Sequence, residues 1–379
     1  MNVLSIPFNR ASLVGKELEY VSAAMTTGRI AGDELYSRRC QDLLQQALGA
    51  PKALLATSCT HALEMCALLL GLAPGNEVIV PSFTFPSGAN AFALHGARPV
   101  FCDIRPDTLN LDECALESLI TARTRAIVPV HYAGVACDMD TILSVGRLHG
   151  IPVVEDNAHG LFGRYKGHCL GTFGSLSTLS FHQSKNITCG EGGALVINDP
   201  AMVERAEIIR EKGTDRSRFF RGQVDRYTWV DKGSSYVLSD VLAAFLLAQL
   251  EMWETIQRRR SEIWQTYHAR LRDWSKRIDA QQPVVPPECE QTFHMYYLLL
   301  PSLAVRQALI EFLKARGITA VFHYLPLHLS KMGREFGGRP GDCPITEDVS
   351  DRLLRLPFYY SLTDAEQSHV IDALVEFQP

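Results

Sequence analysis

Short apolar runs alternate along this chain with longer stretches in which apolar positions recur every three to four residues. "KALLATS" (52–58), "EVIVPS" (77–82), "RPVFCDI" (98–104), "RAIVPV" (125–130) and "PVVED" (152–156) have the look of buried strands. Between them, "HALEMCALLLGL", "LDECALESLI" and "MDTILSVGRLHG" carry the helical period. Strand and helix in alternation predict an α/β core, a mainly parallel sheet with helices on both faces.

The alternation weakens after about residue 200. "PAMVERAEIIREKG" reads as a helix, "DRSRFFRGQVDRYTW" as a polar, aromatic and basic connection, and 236–277 as a long helical region. Then come a strand ("HMYYLLL"), a helix ("VRQALIEFLKARG") and a second strand ("TAVFHYL"), which predict a smaller α+β domain. The expected division is a large domain over 1–250 and a small C-terminal domain over 251–379. No internal repeat or low-complexity segment interrupts either part.

Composition narrows the function. With 379 residues, 46% hydrophobic and 21% charged, the chain supports a sizeable core rather than a disordered coil. A net charge of -5 and a pI near 6.2 give no basic footprint for nucleic acid or an anionic membrane, so the expected partners are small molecules and proteins. The ten cysteines form no CxxC pair and no disulfide framework, and no metal site is expected. "MNVLSIPFNR" lacks the basic start and apolar run of a signal peptide, and even the most apolar segment, "LSDVLAAFLLAQL", carries Asp240; the expected location is the cytoplasm.

In open α/β sheets ligands bind beyond the carboxyl ends of the strands. There, Ser58, Cys59 and Thr60 open a helix after "KALLA", as a phosphate cradle or as a plain N-cap. Asp156 ends "PVVED"; it either meets a cation such as a protonated pyridine nitrogen or caps the next turn. His159, taken alone, reads as a structural histidine. Lys185 follows the strand-like "GSLSTLSFH" and lies in "FHQSKNITCGEGG", among small and polar residues and just ahead of three glycines. A lysine at its ordinary pKa is protonated, so chemistry there requires a site that deprotonates it. Phosphate anchor, buried acid and sheltered lysine, in that order, match the needs of pyridoxal phosphate.

Six ordered segments then carry a resemblance over essentially the whole chain: "PSFTF" (81–85), "VPVHYAGVACDMD" (128–140), "VVEDNAH" (153–159), "SFHQSKNITCGEGG" (180–193), "SSYVLSD" (234–240) and "FHYLPLH" (322–328). The chain resembles the DegT/DnrJ/EryC1/StrS sugar aminotransferases, pyridoxal-phosphate enzymes of fold type I that aminate nucleotide-linked keto-sugars. The resemblance implies a large domain with a seven-stranded, mainly parallel sheet between helices, and a homodimer or higher oligomer. It implies that Lys185 is the Schiff-base and proton-transfer lysine and that Asp156 holds the pyridine nitrogen protonated. Ser180 and the amides around Cys59, Thr60 and His61 would bind the phosphate, and His159 would reach the ring oxygen. Phe85 would stack on the cofactor, with core packing as the alternative. Ser235 stands where many relatives place an asparagine that reaches the phosphate from the partner subunit, which leaves that contact open.

Phe181, Arg221, Tyr324 and His328 are the substrate residues the resemblance implies. Arg216, Arg218, Arg221 and Arg226 beside Phe219, Phe220, Tyr227 and Trp229 also suit a nucleotide diphosphate, unless the segment is a solvated connector. "PVHYAGVACDMD", "EIIREKGTDRSRFFRGQVDRYTW" and "GSSYVLSD" are similar to the branch that forms dTDP-4-amino-4,6-dideoxygalactose for enterobacterial common antigen. The implied substrates are dTDP-4-keto-6-deoxyglucose and glutamate, with the gluco epimer or a 3-keto sugar as alternatives. Relatives that act as dehydratases carry histidine in place of the lysine, and "HQSKN" keeps Lys185. A non-catalytic nucleotide-sugar-binding protein is the remaining alternative.

Overall fold

The computed structural model describes residues 5–378. Seven strands form the large sheet: β1 (Lys52–Ala56), β2 (Glu77–Pro81), β3 (Arg98–Cys102), β4 (Thr124–Ile127), β5 (Val154–Asp156), β6 (Leu176–Ser180) and β7 (Gly193–Ile197). One ladder runs β1-β7-β6-β5 and another β4-β2-β3. Parallel bridges Ile127–Val153 and Val130–Asp156 join β4 to β5, so the order across the sheet is β1-β7-β6-β5-β4-β2-β3. Only β7 runs against the others. The apolar runs of the sequence thus form the mainly parallel sheet expected of them, and β7 is the strand that periodicity missed.

Alternate side chains of the strands feed two cores. Leu54 and Ala56 of β1 pack with Leu63, Met65 and Cys66 of the helix Cys59–Leu69. Ala53 and Leu55 point the other way, against Leu44 of the helix Leu35–Leu48 and Leu246, Leu247 and Leu250 of the helix Asp240–Glu251. Both faces are therefore covered by helices, which is why the strands are apolar throughout rather than alternating.

The helical region read over 236–277 is three helices, Asp240–Glu251, Trp253–Arg270 and Arg272–Arg277. A smaller antiparallel sheet follows, with β10 (Leu353–Arg355) between β8 (Tyr297–Leu299) and β9 (Val321–Phe322). Its core joins Ile263, Trp264 and Tyr267 to Leu309, Leu313, Val370 and Leu374. A division near residue 250 is our proposal for the domain boundary, because the helix that begins at Trp253 supplies this second core. Ile6 crosses that division: its N–H donates to the Gly317 carbonyl at 2.8 Å and its side chain packs in the small core.

The two parts share an apolar cluster in which Phe83, Ile104 and Tyr132 meet Met295, Tyr297, Leu299 and Leu353. Polar struts flank it. The Asp103 carboxylate accepts from the N–H groups of Ile345 (2.9 Å) and Thr346 (2.8 Å) and from the Thr346 hydroxyl (2.7 Å), so a carboxylate at the end of β3 caps the helix Pro344–Arg352. Asp103→Ala is expected to destabilise the protein by about 1–3 kcal/mol, since it orphans the first turn of that helix. A denaturant midpoint equal to that of the parent would show that the strut contributes nothing.

Candidate active site

Strands β1, β2, β4, β5 and β6 end at one edge of the sheet, and the residues that follow them line it. Because β6 and β7 are antiparallel neighbours, the loop between them folds as a hairpin. Phe181 N–H donates to the Gly192 carbonyl (2.8 Å), Cys189 N–H to that of Phe181 (3.0 Å), and Gln183 N–H to that of Gly190 (2.8 Å). Lys185 lies near the tip, its N–H on the His182 carbonyl at 2.9 Å. The next residue anchors the loop: Asn186 Nδ2 donates to the Thr292 carbonyl (2.7 Å) and to Gln257 Oε1 (3.0 Å), while its Oδ1 lies 2.9 Å from His294 Nδ1.

Burial lowers the Lys185 pKa to about 8; the Arg355 guanidinium acts in the same direction and Asp156 opposes it. Asp156, at the end of β5, is 6% exposed. Burial raises its pKa against the Ala158 N–H, 3.1 Å from Oδ1, and the charge of Lys185. Its Oδ2 faces Gly88, where an added Cβ would lie 3.8 Å away. The His159 ring stacks on His294 with centroids 4.2 Å apart, and its buried Nδ1 has no partner among the described residues. Burial, with the charges of Lys185 and Arg355, holds the His159 pKa well below its usual value, so the ring is neutral.

The other end of the site is built around Gly193, which pairs with Ala56 on one side and Ser180 on the other. A Cβ at Gly193 would lie 2.3 Å from the Ser58 carbonyl carbon and 2.4 Å from the Cys59 nitrogen. Only glycine lets the strand lie against the start of the helix Cys59–Leu69. The Ser58 hydroxyl caps this helix through the His61 N–H at 3.1 Å, and the His61 ring is committed to Thr57. His61 therefore has no free amide to offer, and Cys59 and Thr60 keep the open N–H groups of the first turn among the described residues. Cys59 Sγ lies 3.5 Å from Thr178 Oγ1, and burial raises its thiol to about 12, so it is neutral.

Phe85 is 58% exposed, which removes core packing as its role, and its ring lies 6.3 Å from that of Tyr324. Tyr324 also lies beside Phe83 (5.6 Å) and Tyr132 (6.3 Å). Two expected residues fall elsewhere, and two more, Arg221 and Ser235, lie on the surface of this chain. Phe181 is fully buried in the core with Leu179 and Ile187, so its ring is not available to a substrate. His328 is also fully buried, with Nδ1 2.6 Å from Ser82 Oγ and Nε2 3.0 Å from Glu347 Oε1; it is a strut between the domains rather than a substrate contact. Arg221 is exposed and pairs with the buried Glu207 at 2.6 Å. Ser235 is exposed and bridged to Glu211, next to Tyr236, whose carbonyl accepts from the Thr57 N–H.

Sequence reasoning missed Asn186, His294 and Arg355. The first two act through contacts more than 100 positions apart in the chain, which no local pattern announces. Gly193 belonged to a glycine run visible in the sequence, but the close approach that requires it was not.

The arrangement is that of a pyridoxal-phosphate-dependent aminotransferase of fold type I. The profile of the DegT/DnrJ/EryC1/StrS aminotransferase family matches residues 12–375, and the chain belongs to that family. It is 32% identical over 372 residues to the spore coat polysaccharide biosynthesis protein SpsC of Bacillus subtilis, covering 96% of this chain and 94% of that one. Among solved structures, Spr1654 from Streptococcus pneumoniae is known in apo, PLP and PMP forms; the PLP form superposes with a TM-score of 0.90 at 26% identity, covering 98% of each chain. Helicobacter pylori PseC, an aminotransferase involved in pseudoaminic acid biosynthesis, superposes with a TM-score of 0.89 at 25% identity, covering 98% of this chain and 99% of that one. The protein is thus a sugar aminotransferase with pyridoxal phosphate as cofactor.

The residues present fit that cofactor. Asp156 is a buried acid without an adequate cation, His159 Nδ1 is an orphaned polar atom among the described residues, and Gly88 keeps a side chain away from Asp156 Oδ2. The free amine of Lys185 is present above about pH 8 and is lost as the pH falls through that value, far below an ordinary lysine. Covalent uptake of pyridoxal phosphate by the apoprotein should therefore accelerate with pH about a midpoint near 8. In Asp156→Asn the midpoint should fall, because the charge that holds the lysine pKa up is gone. Stopped-flow absorbance checks both, and a midpoint at the ordinary lysine value would overturn the burial argument.

Proposed function

We propose that this enzyme moves the amino group of L-glutamate to carbon 4 of dTDP-4-keto-6-deoxy-D-glucose, giving dTDP-4-amino-4,6-dideoxy-D-galactose and 2-oxoglutarate. In this reading it acts in the cytoplasm as a homodimer and feeds enterobacterial common antigen. The observation that carries the transamination is Lys185, half-buried with its pKa lowered to about 8, beside the buried acid Asp156. The particular sugar is supported by the similarity of "PVHYAGVACDMD" and "EIIREKGTDRSRFFRGQVDRYTW" to the branch that makes it. The homodimer is supported by the exposed Phe220, Tyr227 and Trp229, apolar surface of the kind an isologous partner covers. Among the described residues no helix is long and apolar enough to cross a membrane.

Bound pyridoxal phosphate supplies the carbonyl that takes up the amino group and the electron sink that stabilises charge at the substrate carbon. The protein supplies position and proton traffic. The Cys59 and Thr60 amides and the Ser180 hydroxyl hold the phosphate, and Asp156 keeps a positive charge at the ring nitrogen. His159 donates or accepts at the ring oxygen, and Phe85 covers one face. Lys185 Nζ takes the proton from the carbon of the amino acid and returns one to carbon 4 of the sugar. The side from which Nζ delivers it sets the configuration.

Glutamate should shift the visible band of the yellow holoenzyme, and an unshifted band under all conditions would refute transamination. Lys185→Ala should cut turnover by at least about 10²-fold while leaving cofactor and sugar binding in place, as befits loss of a positioned acid–base group.

The sugar is tested by assaying dTDP-4-keto-6-deoxyglucose beside its 3-keto isomer. Moving the carbonyl one ring position displaces it by more than the ~1 Å that can cost about 10²-fold in rate. Preference for the 3-keto isomer refutes the substrate. An equatorial amine in the product, read from NMR coupling constants, refutes the galacto configuration alone.

A further inference from the structure

The guanidinium of Arg355 is a sheltered cation for which the described residues provide no carboxylate. Arg355 closes β10 and is paired with Tyr297 of β8 and Val321 of β9. Paired residues of a sheet project from one face, and this face looks onto the large domain. The Tyr297 ring lies 5.9 Å from Tyr132, which lies in turn 6.0 Å from His159 and 5.7 Å from His323. The guanidinium carbon sits 4.5 Å over the Phe8 ring, and the buried Nε has no hydrogen-bond partner among the described residues. Its charge acts at Lys185, His159, His294 and His323, lowering the pKa of each. Histidines held neutral and phenols can hydrogen-bond near this charge, but none can neutralise it. A cation so poorly compensated is costly to hold in place unless an anion comes to it.

We infer that Arg355 is the anchor for the carboxylate on the reacting carbon of the amino donor, which is the α-carboxylate of glutamate and then of 2-oxoglutarate. This rests on the transaminase reading above and adds to it the group that recognises the donor. A fork of N–H donors suits a carboxylate held in two-point contact. The choice of carboxylate over diphosphate follows from reach. The donor carboxylate is one bond from the carbon that exchanges a proton with Lys185, whereas the diphosphate of a nucleotide sugar lies across the hexose ring from carbon 4. An arginine whose charge is felt at Lys185 sits where the nearer anion comes. The keto-sugar brings no carboxylate, so the two substrates can use one pocket in turn while only one of them engages Arg355.

The test uses the holoenzyme of Arg355→Gln and of Arg355→Lys. Calorimetric titration of the amine form with 2-oxoglutarate should show binding weakened by about 10- to 100-fold in the Gln variant, the loss expected for a charged hydrogen-bonded partner, and partly restored by Lys. The half-reaction with glutamate should fall by a similar factor, and the half-reaction with dTDP-4-keto-6-deoxyglucose should stay near the parent value. Unchanged 2-oxoglutarate binding in Arg355→Gln overturns the inference. So does loss of the sugar half-reaction alone, which would place the diphosphate at Arg355, or equal loss of both, which would make the residue structural. A parent enzyme that binds 2-oxoglutarate through Arg355 yet aminates no keto-sugar refutes the sugar assignment and leaves this inference standing.

Discussion

The site depends on the register of one short strand. β7 is inserted antiparallel between β1 and β6, with Gly193 opposite both Ala56 and Ser180. Three residues beyond Ala56 the helix that offers the Cys59 and Thr60 amides begins, and five beyond Ser180 stands Lys185. A one-residue slip would turn every side chain of β7 to the opposite face, sending Leu195 and Ile197 out of one core and Ala194 and Val196 out of the other. The antiparallel sense matters as well. Parallel neighbours need a crossover of a dozen or more residues, whereas antiparallel neighbours can be joined by a loop that stays at the edge where it started. Lys185 is held over the strand ends for that reason.

On this scaffold the protein treats two adjacent carboxylates of one strand in opposite ways. Glu155 is fully buried, and its oxygens accept from the N–H groups of Gly171 (2.8 Å), Phe173 (2.7 Å) and Gly174 (2.7 Å), with His131 Nε2 at 3.0 Å. A carboxylate so well supplied with donors fixes the 171–174 turn to β5 and has nothing left to offer a ligand. Asp156, pointing the other way, accepts a single backbone bond and is raised by burial, while the amine nearest to it is lowered. Burial outweighs the attraction between the two groups, so each is pushed toward its neutral form. The strain is local, and the surrounding sheet with its two apolar cores holds it.

Much of this was legible in the sequence because strands buried on both faces write themselves as unbroken apolar runs, and the polar residues next to those runs are then conspicuous. Asp156 and Lys185 stood out in that way, and the structure brings them into one electrostatic cluster. β7 escaped because "GALVI" follows a glycine run that reads as loop. Phe181 and His328 misled for a different reason: they flank residues that do face the site, and the strand and loop geometry that turns them inward has no trace in a motif. "FHYLPLH" serves two ends, with Tyr324 at the site and His328 between Ser82 and Glu347. Arg355 left no signal, since an arginine in "RLLRLP" reads as solvated until the small sheet is laid against the large domain.

That contact between the domains constrains how two chemically unlike substrates can take turns. The interface is an apolar cluster from Phe83 to Leu353, flanked by Asp103 on the helix Pro344–Arg352 and by His328 between Ser82 and Glu347. Swinging the small domain away would break those buried polar bonds and expose the cluster together, at a loss of several kcal/mol by the usual worth of such contacts. Arg355 and Tyr297, carried on the small sheet, are therefore fixed in place relative to Lys185. Exchange of substrates falls instead to the open side of the site. There Phe85 is 58% exposed. The groups that meet the reacting carbon are thus held rigid by the domain contact, and access to them lies where Phe85 is exposed.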